Sequence, residues 1–159
     1  MSAEPEKTSP PFFALAIATA GGAGYVPFAP GTAGTAVGLL LWWVLPQSPV
    51  LHVVLIAAMF VLGSWSGSVA ERHFHKTDPG HVVLDEVMGM FITLLMNPVG
   101  WKGALAGFVL FRAFDVVKPP PTNLFERLPG GVGIMADDAM AGVYSNLALR
   151  LLMLVRPLL

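Results

Sequence analysis

The sequence predicts an all-α protein, a polytopic membrane helix bundle of about four to six helices. Hydrophobic residues occupy 55% of the 159 positions and charged residues only 12%, whereas soluble domains carry about 25% charged residues. The apolar residues form runs that are separated by turn signals rich in Pro, Gly and Asn. Because the length allows one domain, we expect a disordered polar tail over residues 1–11 and a single membrane domain over residues 12–159.

The composition also excludes several classes of function. The formal net charge of −1 gives no electrostatic reason to expect nucleic acid as a partner. The absence of cysteine excludes disulfides, thiolate catalysis and zinc–thiolate sites. The polar start, MSAEPEKTSPP, lacks the basic segment and cleavage site of a secretory signal, which is why we expect a tail there.

Five apolar runs predict helices that enter the membrane. They cover residues 35–45, 50–65, 86–96, 101–114 and 139–155, and a further helix, interfacial or packed inside, is predicted over residues 12–20. A hydrocarbon core about 30 Å thick needs about 20 helical residues. Several runs therefore reach across only if their polar flanks enter the membrane, and we expect those polar ends to be buried in protein.

The alternation of the runs predicts which loops share a face. The turns PQSP and MNPVG lie on one face, and three longer loops that carry nearly every charge lie on the other. The second face has Arg72, Lys76, Lys118 and Arg127, against Lys102 near the first, which Arg150 and Arg156 join if the fifth run crosses fully. The positive-inside rule therefore places the charged face in the cytoplasm.

Carboxylates gather at the helix ends on this charged face. They are Asp85, Glu86, Asp115, Asp137 and Asp138. A carboxylate costs about 2.5 kcal/mol or more at the centre of a membrane helix, so a group of them near the bilayer requires a common partner. Oxygen ligands without Cys or a His-x-x-x-His pattern favour Mg²⁺, which also holds substrate phosphate. The metal ligands expected are Asp85, Glu86, Asp115 and Asp138.

The spacing of small residues supports the convergence of two of these acids. Asp85 precedes Gly89, and Asp138 precedes Gly142, by four residues each, so each pair shares a helical face. Small residues allow membrane helices to approach closely. Two helices could therefore meet just below the two carboxylates and bring them to one metal.

Ordinary structural roles are the alternative for the same acids. Asp137 or Asp138 could be an N-cap or first-turn acid, and Asp85 and Glu86 could mark a helix start. Asp115 is different because it follows an apolar run, and the helix dipole disfavours an acid at a helix end.

The string FRAFDVVKPPP places Arg112, Asp115 and Lys118 at intervals of three residues. If the helix continues to Val117, where the prolines end it, the three ionic groups lie roughly on one side. One interpretation is a pair of snorkelling bases with a neutralising acid. The other is catalytic: Arg112 and Lys118 supply positive charge for phosphate, because phosphoryl transfer is catalysed mainly by positioning and electrostatics.

A Gly- and Thr-rich segment, FAPGTAGTAVG, leads into an apolar helix. Free backbone N–H groups at such a helix start suit an anion such as phosphate, which makes Gly31, Thr32 and Thr35 candidate substrate-binding residues. Alternatively, Thr32 or Thr35 is an N-cap and the glycines permit close packing, since the segment lacks the Lys of a Walker motif.

Four strings together resemble the signature blocks of the phosphatidylglycerophosphatase A family in order and spacing. They are PFAPGTAGT (27–35), DPGHVVLDEVMG (78–89), FRAFDVVKPPP (111–121) and GGVGIMADDAMAG (130–142). The resemblance covers residues 18–152. It departs from the family at Pro120, Pro121 and Thr122, where an aromatic or aliphatic residue is commoner after Lys-Pro.

The resemblance implies an all-helical, Mg²⁺-dependent lipid phosphatase of the bacterial inner membrane. Members hydrolyse phosphatidylglycerophosphate to phosphatidylglycerol and inorganic phosphate. By position, the family's basic residue falls on Lys118, and its acidic residues fall on Asp78, Asp85, Glu86, Asp115, Asp137 and Asp138. We accordingly assign catalytic roles to Asp115, Lys118, Asp137 and Arg112.

Two other functions compete with this one. A CDP-alcohol phosphotransferase also places aspartates at membrane helix ends, but its pattern of two aspartates followed by Gly, Ala and Arg is absent from the sequence. A small membrane cation transporter would have acidic residues lining an ion path. The clustering of the acids on one face favours the phosphatase.

Overall fold

The regular elements of the described residues are all helical. The computed structural model describes residues 11–125 and 127–155, so the predicted tail lies almost entirely outside the described residues. The helices are α1 (Phe12–Ala18), α2 (Pro30–Val44), α3 (Pro49–Phe74), α4 (Leu84–Leu94), α5 (Trp101–Val117), α6 (Thr122–Phe125) and α7 (Gly131–Val155), with a 3-10 turn at Ala23–Tyr25. The predicted fold class is confirmed: six helices have seven residues or more, and α6 is one turn beyond the expected number.

Several helix boundaries follow from local sequence. Pro49 opens α3, and the Ser48 hydroxyl accepts a hydrogen bond from the Leu51 N–H at 3.4 Å, as at an N-cap. The helix α5 ends at Val117 because Lys118 adopts a left-handed conformation (φ 49°) and prolines follow. Pro30 opens α2 in the same way that Pro49 opens α3. The predicted start at Thr35 was therefore five residues late, and neither Thr32 nor Thr35 is an N-cap.

The short helix α4 lies at the centre of the bundle. It packs against α2, α3, α5 and α7, and eight of its eleven residues are buried. At its C-terminal end, the Asn146 side-chain amide from α7 donates to the carbonyl oxygens of Ile92, Thr93 and Leu95 at 2.9–3.0 Å. These bonds satisfy carbonyls that a helix end leaves without intrahelical partners.

All the functional candidates lie at one end of the bundle, which we call the acidic end. The helices α2, α4 and α7 begin there, and α3 and α5 end there. The opposite end, which we call the far end, carries the turns after α2 and α4. The alternation of the runs therefore predicted the correct grouping of loops.

Two helices, α3 and α7, are long and apolar enough to cross a membrane. Only 22% and 28% of their most apolar windows are buried in the protein, so most residues of these windows are at least partly exposed, as expected of a helix in contact with lipid. The helices α2, α4 and α5 have 15, 11 and 17 residues, which correspond to about 16–26 Å. These three helices are thus shorter than a hydrocarbon core of about 30 Å, which confirms the expectation that several apolar runs are short for a full crossing.

Candidate active site

A polar pocket of about 230 Å³ opens at the acidic end. Residues around the start of α2 form one wall, and the loop between α3 and α4, together with α4, α5 and α7, supplies the rest. Eight charged residues line it: Asp78, Asp85, Glu86, Arg112, Asp115, Lys118, Asp137 and Asp138. Segments that are far apart in sequence thus place six acids and two bases around one cavity.

Three of the acids form a compact group, which we call the acid triad: Asp85, Glu86 and Asp138. One carboxylate oxygen from each lies within 4.8 Å of the others. Asp85 and Asp138 are only 6% and 4% exposed. Within the described part of the chain, Oδ1 of Asp85, Oε2 of Glu86 and Oδ2 of Asp138 are buried without a hydrogen-bond partner. Buried like charges at this distance repel each other strongly, so the triad requires a cation or shared protons.

The two bases are each paired with an acid of the pocket. The guanidinium of Arg112 lies 2.7 Å from Asp115 Oδ2 and 3.8 Å from Glu86 Oε1. The Lys118 ammonium makes a salt bridge with Asp137 Oδ2. Both basic side chains remain partly exposed to the pocket, at 24% and 30%. They can therefore meet an anion without leaving their carboxylate partners.

The aspartates of α7 are not at its start. The helix begins at Gly131, so Asp137 and Asp138 lie at the end of its second turn, and the N-cap interpretation of either residue was wrong. The Gly131 N–H donates to the Ser68 hydroxyl of α3 at 2.9 Å. A partner from another helix thus satisfies this N-terminal N–H group, and local sequence could not have revealed it.

The two glycines below the acid triad mark the contact of α4 and α7. A Cβ on Gly142 would lie 2.8 Å from the Gly89 carbonyl oxygen and 2.9 Å from Ile92 Cβ. A Cβ on Gly89 would meet the Phe111 ring and lie 3.2 Å from the Asp138 carbonyl oxygen. The two backbones therefore meet one helical turn from Asp85 and Asp138, as the spacing predicted.

The candidates on α2 occupy different positions. Gly31 lines the pocket, and a Cβ there would press on the Glu86 carboxylate and the Arg112 guanidinium. Thr35 is buried; its hydroxyl donates to the Gly31 carbonyl at 2.9 Å and lies 3.5 Å from Arg112 Nη1. Thr32 is exposed on the helix surface and does not line the pocket.

Asp78 lies at the mouth of the pocket, on the loop after α3. Its backbone is left-handed (φ 46°), and its N–H donates to Glu71 Oε1 at 3.1 Å. Partial desolvation raises the pKa of its carboxyl, and the nearby positive charge of Lys118 acts in the opposite direction. Asp78 also lines a second polar cavity of about 230 Å³ together with Glu71, Thr77 and Asp137.

Sequence reasoning did not single out several residues that shape the pocket. Ala29, Pro30, Gly80, Val82 and Ile134 all line it. None of these side chains can act as an acid, a base or a metal ligand. The available signal was their position beside the acidic motifs, since four of them lie inside the quoted blocks 27–35 and 78–89.

The pocket combines buried acids with two bases, the groups that phosphoryl transfer requires. It lies at the end of two long apolar helices. Together these features indicate a membrane-associated enzyme that acts on phosphate-bearing lipids. The family model for phosphatidylglycerophosphatase A matches residues 16–153. The chain therefore belongs to the phosphatidylglycerophosphatase A family and is a phosphoric monoester hydrolase.

Three similar proteins cover most of the chain. A Bacteroides thetaiotaomicron protein named "Putative phosphatidylinositol-3-phosphatase" is 40% identical over 86% of this chain and 91% of its own length. The phosphatidylglycerophosphatase A of Escherichia coli K12 is 36% identical over 87% and 81%, respectively. That of Haemophilus influenzae is 38% identical over 78% of each chain. No solved structure matches the chain significantly.

Proposed function

We propose that this protein is a Mg²⁺-dependent phosphatase that hydrolyses phosphatidylglycerophosphate to phosphatidylglycerol and inorganic phosphate. The observation that carries the proposal is the pocket at the acidic end, where two bases face a group of buried acids beside the apolar helices. The substrate keeps its acyl chains in the bilayer while its terminal phosphate enters the pocket. Asp137 and Asp138 lie in α7 between two apolar stretches, residues 131–136 and 139–149, and this position would place them at the boundary between head group and acyl chains.

The acid triad fits a hard divalent cation. Its members, Asp85, Glu86 and Asp138, each offer one carboxylate oxygen within 4.8 Å of the others. Each of the three carboxylates also has one buried oxygen without a hydrogen-bond partner among the described residues. Mg²⁺ prefers oxygen ligands and is often shared between carboxylates and substrate phosphate. When bound, it supplies Lewis-acid charge to a phosphoryl oxygen. Asp115, which we expected as a further ligand, pairs closely with Arg112 and stands at the edge of this group.

The bases act on the phosphate. Arg112 and Lys118 reach the pocket from the C-terminal end of α5, and their charges offset the negative charge that develops on the phosphoryl oxygens. Asp115 holds the guanidinium at 2.7 Å, and Asp137 holds the ammonium. These two aspartates fix the direction of the bases, which reduces the reorganisation needed during the reaction.

The test is phosphate release by the purified protein from phosphatidylglycerophosphate in mixed detergent micelles, across a Mg²⁺ titration. We expect turnover that rises with Mg²⁺ and is lost with a chelator. Ion flux in proteoliposomes without phosphate release would support the cation transporter instead. Turnover that is unchanged by chelation would contradict the metal assignment.

The name of the Bacteroides relative favours a second candidate substrate, phosphatidylinositol 3-phosphate. Both lipids present a phosphomonoester on a hydroxylated head group, so the charged pocket suits either one. Parallel assays with the two lipids at equal surface concentration will rank them. We expect the higher kcat/KM for phosphatidylglycerophosphate.

We place the acidic end on the cytoplasmic face of a bacterial inner membrane. Among the described residues, Arg72, Lys76, Lys118 and Arg127 lie at or near this end, whereas Lys102 and Arg150 lie at or near the far end, an excess of positive charge of the kind that the positive-inside rule associates with the cytoplasm. The chain has no cysteine, so a maleimide can label a single-cysteine variant only at the introduced residue, and the labelling reports on which side of the membrane that residue lies. A membrane-impermeant maleimide applied to intact spheroplasts should label K102C and spare K76C; the reverse pattern would invert the orientation.

A further inference from the structure

An open apolar groove lies between α2 and α5 on the outer surface of the bundle. Its volume is about 340 Å³. Apolar side chains line it, including Ala36, Leu40 and Trp43 from α2 and Trp101, Ala104 and Leu105 from α5. The groove exists because α2 and α5 pack more closely on α4 than on one another.

The groove runs along the same two helices that form part of the pocket. Gly31 at the start of α2 and Arg112 near the end of α5 both line the pocket, and Arg112 reaches across to within 3.5 Å of the Thr35 hydroxyl. At 1.5 Å per residue, the groove begins at Ala36, about 7 Å from Gly31, and extends to Trp43, about 18 Å from it. One leaflet of a hydrocarbon core of about 30 Å is about 15 Å deep. The groove therefore lies at the depth of acyl chains whose head groups are at the acidic end.

We infer that this groove binds one acyl chain of the phospholipid substrate. The inference rests on the proposed function, since it assigns the tail of the lipid whose phosphate enters the pocket. The open side of the groove faces outward, so a chain can enter laterally from the bilayer. Lipid tails are as apolar as the groove itself, so transfer of an acyl chain from the bilayer into the groove adds little binding energy. The contact mainly positions the substrate. A chain held between α2 and α5 aligns the head group with the pocket, which lowers the entropic cost of reaching the reactive geometry.

The experiment fills the groove and compares substrates that differ in chain length. Ala36→Trp fills it from α2, and Leu105→Trp fills it from α5. The matched control is Ala57→Trp, because Ala57 is exposed on α3 between Val53 and Val61, which are 51% and 66% exposed. Each protein is assayed for phosphate release from dioleoyl and dihexanoyl phosphatidylglycerophosphate in mixed micelles.

We expect both groove variants to lose about fivefold or more in kcat/KM toward the dioleoyl lipid while retaining activity toward the dihexanoyl lipid. Ala57→Trp should leave both activities unchanged. Equal effects on the two lipids in both groove variants, or no effect in either, would overturn the inference. A dimer in detergent that only the groove variants dissociate would assign the groove to a second copy of the chain, and would also overturn it. Wild-type protein inactive toward both lipids would instead contradict the proposed function.

Discussion

Asp137 and Asp138 are neighbours in sequence but meet different partners. Asp137 makes a salt bridge with Lys118, whereas Asp138 belongs to the acid triad with Asp85 and Glu86. Successive residues of a helix point about 100° apart, and this rotation separates the two carboxylates. The two side chains are identical, but their positions on the helix give them different partners.

The first prediction concerns these two aspartates. Asp138→Asn preserves the size of the side chain but removes a negative charge that a hard cation prefers. Mutation of a residue that only supports a metal ligand typically lowers metal affinity or activity by about 10- to 100-fold. Because Asp138 is proposed as a ligand itself, we expect Asp138→Asn to lower phosphate release by about 100-fold or more and to raise the Mg²⁺ concentration required. Asp137→Asn should be milder and leave the Mg²⁺ requirement in place. Phosphate release across a Mg²⁺ titration measures both, with circular dichroism to verify helical content. Near wild-type activity of Asp138→Asn at low Mg²⁺ would refute the metal-ligand role.

The second prediction concerns Lys118. Its ammonium is held by Asp137 and is 30% exposed at the pocket, where we expect it to contact phosphate. Lys118→Met should lower kcat by about 100-fold, the usual effect of removing one electrostatic contact to a developing anion. The control is Arg127→Met, because Arg127 is exposed and does not line the pocket. Steady-state kinetics of the two variants decide the point, and equal losses would indicate a general requirement for basic loops.

At the scale of elements, the close contact of α4 and α7 determines the geometry of the acid triad. Gly89 and Gly142 allow the two helices to approach backbone to backbone, one turn from Asp85 and Asp138. A larger residue would push the helices apart and separate the carboxylates. Helix packing therefore determines how close the three carboxylates can lie, through two glycines without functional side chains.

The third prediction tests this contact. A Cβ at Gly142 would lie 2.8 Å from the Gly89 carbonyl oxygen, too close for any real side chain, so Gly142→Ala should destabilise the protein by about 1–3 kcal/mol. Gly80→Ala is the matched control, since a Cβ there meets nothing within 4 Å. Thermal unfolding in detergent, followed by helical circular dichroism, measures the difference. A Gly142→Ala melting temperature equal to that of Gly80→Ala would show that the helices can separate without cost.

At the scale of the whole molecule, the acidic and far ends have different chemistry. Each acidic residue that the structure describes lies at or beside the acidic end, and none lies midway along α3 or α7. A transport path would require polar groups at intermediate depth. The described part of the chain instead combines apolar outer surfaces with charged cavities at one end, an arrangement suited to a substrate with apolar tails and a charged head.

The fourth prediction concerns metal binding and global stability. A ligand that binds only the folded state at 100 times its Kd adds about 2.7 kcal/mol to the free energy of unfolding, equivalent to about 5–10 °C for a chain of this length. We expect Mg²⁺ to raise the melting temperature of the wild type by an amount of this order. Asp85→Asn should abolish the shift and, without Mg²⁺, should be at least as stable as the wild type because one buried negative charge is gone.

The same melting experiment includes its own controls. Chelator should return the wild-type melting temperature to the metal-free value, and Arg127→Met should retain the shift, because Arg127 is exposed and does not line the pocket. An undiminished Mg²⁺ shift in Asp85→Asn would place the cation elsewhere.

The sequence alone determined the all-α class, the grouping of charged loops and the charged residues that meet in the pocket. These follow from composition, from the alternation of apolar runs and turns, and from motifs in which neighbouring residues carry the information. The Gly89 and Gly142 contact was also predictable, because the same four-residue spacing follows an acid in each helix.

Only the tertiary structure decided the helix starts, the partners of each charge and the presence of the groove. The start of α7 at Gly131 depends on Ser68 of another helix, and the pairing of Lys118 with Asp137 spans 19 residues. The structure also fixed the lengths of α2, α4 and α5, and it identified α3 and α7 as the described helices that are long and apolar enough to cross a membrane. The groove between α2 and α5 depends on how both helices pack on α4. Such contacts join residues from separate elements, and local sequence does not encode which of the possible partners will lie within reach.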